Sequence, residues 1–229
     1  MILIVSGLID GSGPLWKKAF PKGAAFIVNP LDFSRGGTAI YPDCEGDSRI
    51  RSGRSVVRLS EVTGVLTLTQ AFLPEEFVQF DQDTRAYAAA EANALLSHIL
   101  HSLRCRKINA PSHSGLGGPF RYHEQWYRMA MRVGVPCPPH VTRNGHSKDS
   151  YTLPADSVNL ICLDGSVINE APQHLTDYAL KLQSESGLNY LSVRFSRNHS
   201  GEYFFSHAAQ VPDAKDREVR EAVVRYLRP

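Results

Sequence analysis

The sequence predicts an α/β protein, with an N-terminal parallel-sheet domain followed by a smaller α+β domain. Three observations predict it. The apolar run Ile2-Leu3-Ile4-Val5 stops abruptly at Ser6-Gly7, the pattern of a strand buried on both faces of a parallel sheet. Further strand-like runs are followed by a long amphipathic stretch over 84–103, so the first half reads as alternating strand and helix. The last third holds two hairpin patterns with one helical segment between them.

Each element has its own signal. Asp10-Gly11-Ser12-Gly13-Pro14 is read as a turn, since it has neither the GxGxxG spacing nor the Gly-Lys-Ser/Thr ending of a phosphate cradle. Ala25-Phe26-Ile27-Val28 is the second strand, broken by Asn29-Pro30. Residues 38–53, rich in Gly, Pro and Asp, read as a loop or irregular hairpin, and 55–59 and 64–69 alternate as strands. In 84–103, Ala88, Ala92, Leu95, Ile99 and Leu103 recur every three or four residues, with Asp81 or Asp83 placed to cap the helix start. Lys107-Ile108-Asn109-Ala110-Pro111 is a short strand ended by a turn, and the Gly-rich 112–119 is a loop.

A second amphipathic helix carries Trp126, Met129, Ala130 and Val133 and ends at Gly134, which accepts a left-handed helix end. The Pro-rich 135–139 is a stiff connector. The polar 143–154 is the natural boundary or the point of a lost insertion. Residues 158–168 form a hairpin around Asp164-Gly165, 175–182 a helix, and 190–205 a second hairpin. Pro212-Asp213 is expected to open a last helix that buries Val219, Ala222, Val223 and Tyr226, joined by Leu227. The expected division is 1–106, then 107–157 as helix, connector and residual insertion, then 158–229.

Composition narrows the function classes. The chain has 229 residues, 42% hydrophobic and 21% charged, with a net charge of +2 and acid and base interspersed along it. That balance suggests no nucleic-acid partner. No apolar run approaches the ~20 residues needed to span a bilayer, and the N-terminus lacks the basic segment of a signal peptide. Cys44, Cys105, Cys137 and Cys162 form no close pair, which suggests reduced thiols in a cytoplasmic protein rather than a zinc site. Cys137 sits between prolines with nothing nearby to lower its pKa.

Several ordered segments together resemble the ATP-grasp superfamily, in particular the branch of ribosomal-protein glutamate ligases and peptide-macrocyclising ligases. They are Lys107 to Pro111, then Glu124-Gln125-Trp126-Tyr127-Arg128-Met129-Ala130, then Val133-Gly134-Val135-Pro136-Cys137-Pro138. Leu160 to Ile168 and Ser186-Gly187-Leu188-Asn189-Tyr190 through Pro212 continue the match. The resemblance implies a pre-ATP-grasp-like first domain and an ATP-grasp-like second one. It departs from the family pattern in two places. The family's lid subdomain would lie between the connector and residue 158, where only about 19 residues remain with one lysine, Lys148. Magnesium-binding acids are implied on the last two strands, where this chain reads across as Arg194, Ser206 and Ala208. A guanidinium there repels a metal: two unit charges about 4 Å apart cost ~4 kcal/mol at an effective dielectric of ~20. Magnesium also demands oxygen donors that these side chains do not supply.

The resemblance with these departures gives a non-catalytic ATP-grasp-like fold without its lid, with no cofactor expected. It would bind a protein or peptide, such as an active ATP-grasp ligase or a precursor peptide, and could form a homodimer. The rival reading is an ATP-dependent carboxylate–amine ligase using ATP with magnesium and a compressed lid; a third is a nucleotide or anion sensor without turnover. The candidate ligand- or anion-binding residues are Arg194, Ser206, His207, Lys107, Lys148 and Arg121, with His113, Ser114 and His123 near Arg121 in sequence. No catalytic or metal-binding residue is nominated.

Overall fold

A computed structural model describes residues 1–9, 11–34, 48–138, 156–198 and 200–228. They divide into two compact units, Met1–Phe120 with Val211–Pro229, and Arg121–Gln210. The polar stretch at 143–154 and Lys148 lie outside the described residues.

The first unit is built on β1 (Ile2–Val5), whose four residues are all buried. Then follow α1 (Gly13–Ala19), β2 (Ala25–Val28), α2 (Pro30–Ser34), and the β3 (Arg49–Ser52) and β4 (Ser55–Arg58) hairpin. β5 (Gly64–Thr67), the 21-residue α3 (Gln82–Ser102) and β6 (Arg106–Ile108) complete the run. The sheet order is β2-β1-β5-β6, with every pairing parallel, as the continuous apolar runs predict. Leu3, Val5, Phe26 and Val65 from the sheet bury against Ala92, Leu96 and Ile99 of α3.

The α3 stripe differs slightly from expectation. Ala92, Ile99 and Leu103 are buried as expected, but Ala89, Leu96 and Leu100 share the core while Ala88 and Leu95 are only half-buried. Adjacent pairs such as Leu95-Leu96 leave the phase of a helical stripe undetermined by spacing alone. Asp81 stands at the N-cap, yet its side chain makes no capping hydrogen bond. Instead its carbonyl accepts from Thr84 Oγ1 at 2.9 Å.

A helix begins where a turn was expected. Gly13-Pro14 opens α1, because proline in the first turn lacks only an N–H that would go unpaired anyway. A Cβ on Gly13 would lie 2.9 Å from Ser6 Oγ, so the close approach requires glycine. Asn29-Pro30 ends β2 as expected, and Pro30 also starts α2: Asn29 Oδ1 accepts from Leu31 N at 3.0 Å, and Asn29 N donates to Asp32 Oδ2 at 3.0 Å.

The second unit begins with α4 (His123–Arg132), after which Gly134 takes φ +77° as expected. Its antiparallel sheet, order β10-β9-β7-β8, comprises β7 (Ser157–Leu163), β8 (Ser166–Val167), β9 (Tyr190–Arg197) and β10 (Tyr203–Ala209). Asp164 (φ 51°) and Gly165 (φ 77°) make the left-handed two-residue turn between β7 and β8. α5 (Gln173–Ser186) covers one face, burying Leu175, Ala179 and Leu182 against Leu160, Cys162, Leu191, Val193 and Phe195.

The last helix, α6 (Arg217–Leu227), packs in the first unit against α1 and β6. It starts later than the sequence suggests. Asp216 rather than Pro212-Asp213 caps it, accepting from Glu218 N at 2.9 Å and Val219 N at 3.2 Å. Val219, Val223, Val224 and Leu227 form its buried face, while Ala222 and Tyr226 are half-buried.

Glu76 is 4% exposed and ties the loop after β1 to the chain ahead of α3. Its Oε1 accepts from Leu8 N and from Ile9 N, and its Oε2 accepts from Leu73 N at 2.8 Å. Replacing it by alanine strands these donors. Glu76→Ala is therefore expected to lower unfolding stability by about 2–4 kcal/mol, and Glu76→Gln by less, as measured by urea denaturation.

Candidate functional site

β9 lies between β10 and β7 in the four-stranded sheet, and its pleat sorts the second unit chemically. Leu191, Val193 and Phe195 point into the apolar core. Ser192 and Arg194 take the opposite face. Arg194 pairs with Asn159 of β7 on one side and His207 of β10 on the other, so an amide, a guanidinium and an imidazole form one row across the sheet. Ser192 Oγ donates to Asn159 Oδ1 at 2.8 Å and fixes that end of the row.

Ser206 belongs to the irregularity between Phe205 and His207, where the register shifts. Its Oγ donates to the Arg194 carbonyl at 3.1 Å, so this hydroxyl stabilises the bulge. The bulge turns His207 toward the start of α4. There the His123 ring stacks on Phe205, with centroids 6.4 Å apart, and on His207 at 6.5 Å. The surroundings hold His207 below the usual imidazole range, first by desolvation and then by repulsion from His123 and Arg194. The Arg194 guanidinium makes no hydrogen bond or ion pair to another described residue.

Arg194, Ser206 and His207 are thus brought together, with Asn159 and His123 beside them. Asn159 carries no sequence signal, because only the β7–β9 register places it opposite Arg194. Arg121 has another role: its Nη2 donates to the Ser186 carbonyl at 2.9 Å, closing the end of α5, and its guanidinium lies 5.1 Å from the Trp126 ring centroid. Burial lowers its pKa. Lys107 lies in the other unit, where its Nζ donates to the Leu103 carbonyl. His113 is exposed, and Ser114 Oγ accepts from Phe120 N at 3.2 Å within that unit's loop.

Burial pushes Cys137 up to about 11 and Cys162 up to about 12. Burial also raises the Cys105 pKa, and Cys44 lies outside the described residues. Among the described residues, no group of three or more His, Cys, Asp or Glu could hold a metal ion.

No protein-family model matches the sequence, and no curated protein matches it. Solved structures do match. The macrocyclase MdnC from Microcystis aeruginosa MRC, bound with precursor peptide MdnA, aligns over 93% of this chain and 91% of its own, with TM-score 0.66 and 15% identity. The ATP-grasp ligase PsnB, complexed with a minimal precursor, Mg and ADP, aligns over 99% and 98%, with TM-score 0.67 and 13% identity. A RimK-domain ATP-grasp protein from Sphaerobacter thermophilus aligns over 99% and 98%, with TM-score 0.51 and 13% identity. The chain therefore has the ATP-grasp-like fold, a parallel-sheet unit and an antiparallel one.

The expectation that no cofactor is involved is overturned by the same structures. PsnB was solved with Mg and ADP and, with precursor peptide PsnA2, with AMPPNP, which points to ATP with magnesium. The Asn159–Arg194–His207 row itself does not fit the metal, since it offers a cation where magnesium needs oxygen donors. No catalytic step is derived through it.

The electrostatics of the row can be measured. Removing one repelling charge by Arg194→Met is expected to raise the His207 pKa, without restoring it fully because the burial remains. Titration of the imidazole Cε1 proton by NMR checks this. A depressed folded-state value means that the unfolded chain binds more protons just below the ordinary imidazole pKa. The contribution of His207 to stability therefore falls as pH drops through that window. It is level above the ordinary value.

Proposed function

We propose that this chain is a peptide-binding protein of the ATP-grasp fold that assists an active ligase rather than performing the ligation itself. One observation carries the proposal. The sequence resemblance aligns β9 and β10 with the metal-binding strands and reads Arg194, Ser206 and Ala208 at the ligand positions, none of which is a carboxylate, and Ala208 is buried in the core. Peptide binding is supported by the shared fold, whose solved examples include MdnC with MdnA and PsnB with PsnA2.

The chemistry of the row suits recognition. A guanidinium offers five N–H donors in a fixed plane, and a carboxylate or phosphate can accept two of them side by side. His207, when protonated, adds a charge, and His123 backs it from α4. An anionic group on a bound peptide would relieve the repulsion among these three residues.

The test supplies ATP and magnesium and examines the peptide. The tagged protein is incubated with extract of its own cells, ATP and Mg, and captured peptides are weighed by intact-mass spectrometry. The proposal expects co-purifying peptides of unchanged mass, which lose water only when an active ligase is added. A peptide dehydrated by this chain alone would establish it as a ligase and sink the proposal.

A further inference from the structure

The first unit carries a concentrated positive surface that the interspersed charges of the sequence conceal. Arg106 of β6 and Arg217, Arg220, Arg225 and Arg228 of α6 and its end line one groove of about 790 Å³. Glu221 is the single acid among its lining residues. Five guanidiniums against one carboxylate leave +4 in this groove, where the whole chain nets +2.

The placement follows from helical spacing. Arg217, Glu221, Arg225 and Arg228 are separated by four, four and three residues and share one face of α6. Three of the arginines have structural work. Arg217 Nε pairs with Glu221 Oε1 at 2.7 Å, Arg220 donates to the Ala214 carbonyl, and Arg106 Nη1 donates to the carbonyls of Tyr226 at 3.0 Å and Arg228 at 3.3 Å. Each leaves several N–H donors unused. Arg225 and Arg228, both exposed, have no hydrogen bond or ion pair from their guanidinium groups to a described residue. Helix-end carbonyls favour cations there, but that effect is worth only tenths of a kcal/mol per charge and does not require a cluster.

We propose that this groove docks an extended acidic peptide segment. Arg217 to Arg228 spans about 16 Å along the helix. In an extended chain, side chains two residues apart point the same way and lie ~6.6 Å apart. Glu or Asp at three alternating positions therefore covers about 13 Å, which matches the row. A nucleic-acid strand fits less well, because none of the described residues lining the groove is aromatic, and the Tyr226 ring of the same helix already carries the Arg106 guanidinium 5.7 Å from its centroid. This site lies within the first unit and does not depend on the function proposed above.

The test is fluorescence anisotropy of the intact protein with a labelled peptide of about seven residues alternating Ala and Glu, beside its Ala/Gln counterpart. The Glu peptide is expected to bind, to weaken at least tenfold between about 0.02 and 0.2 M salt, and to bind well over the Gln peptide. Arg225→Glu with Arg228→Glu, both on exposed positions, should weaken it at least tenfold, while Arg128→Glu on α4 leaves it unchanged; an unaltered Tm shows that the double variant is folded. Equal binding of both peptides, or retained affinity in the double variant, overturns the proposal. Displacement of the peptide by a lower concentration of a short oligothymidine also overturns it, in favour of a nucleic-acid surface.

Discussion

The alternation of β9 from Leu191 to Phe195 is the constraint on which the second unit depends. Leu191, Val193 and Phe195 are each fully buried, and Ser192 and Arg194 between them face the other way. A slip of one residue against β7 or β10 would drive Arg194 into the apolar core and expose three large side chains. Burying an unpaired guanidinium costs several kcal/mol, and exposing the three apolar chains costs ~1.5–3 kcal/mol each. Register is therefore strongly fixed, and with it the meeting of Asn159, Arg194 and His207. The polar row is a consequence of the same pattern that builds the core.

The first unit depends on a different constraint, close backbone approach. Gly64 opens β5 where a Cβ would come within 2.9 Å of the Leu227 carbonyl, so the end of α6 rests directly on the sheet. Arg106 then reaches the carbonyls of the same helix end. These contacts join residues more than a hundred positions apart in sequence and turn the charged side of α6 outward.

How much of this was legible in the sequence varies with the range of the interaction. The buried strand at 2–5, the Asp164-Gly165 turn and the helix end at Gly134 were readable, because each rests on local backbone preference or a short period. Helix α1 was not: seven residues bury only Gly13 and Trp16, too few to show a stripe. The onset of α6 was misplaced because Asp213 and Asp216 offer equal capping chemistry, and only packing chooses between them. Arg194, Ser206 and His207 could be picked out as neighbours on facing strands, whereas Asn159 needed the register of a third strand. The arginine groove was invisible, since Arg106 stands far from 217–228 and the intervening acids average the charge away.

The two cationic places differ in a way that bears on what each can do. On α6, Glu221 lies beside Arg217, Arg220 and Arg225, so the like-charge repulsion is partly relieved within the protein, in full contact with water. The groups that act on His207 among the described residues are Arg194 and His123, with no carboxylate to offset them. The fold holds these side chains together through the β-sheet register and ring stacking rather than through a charge partner. Such an arrangement is least favourable with all three groups protonated and gains most from an anion. The exposed groove tolerates vacancy and would respond to salt, whereas the sheet row would respond to pH. That difference in response follows from the position of one carboxylate.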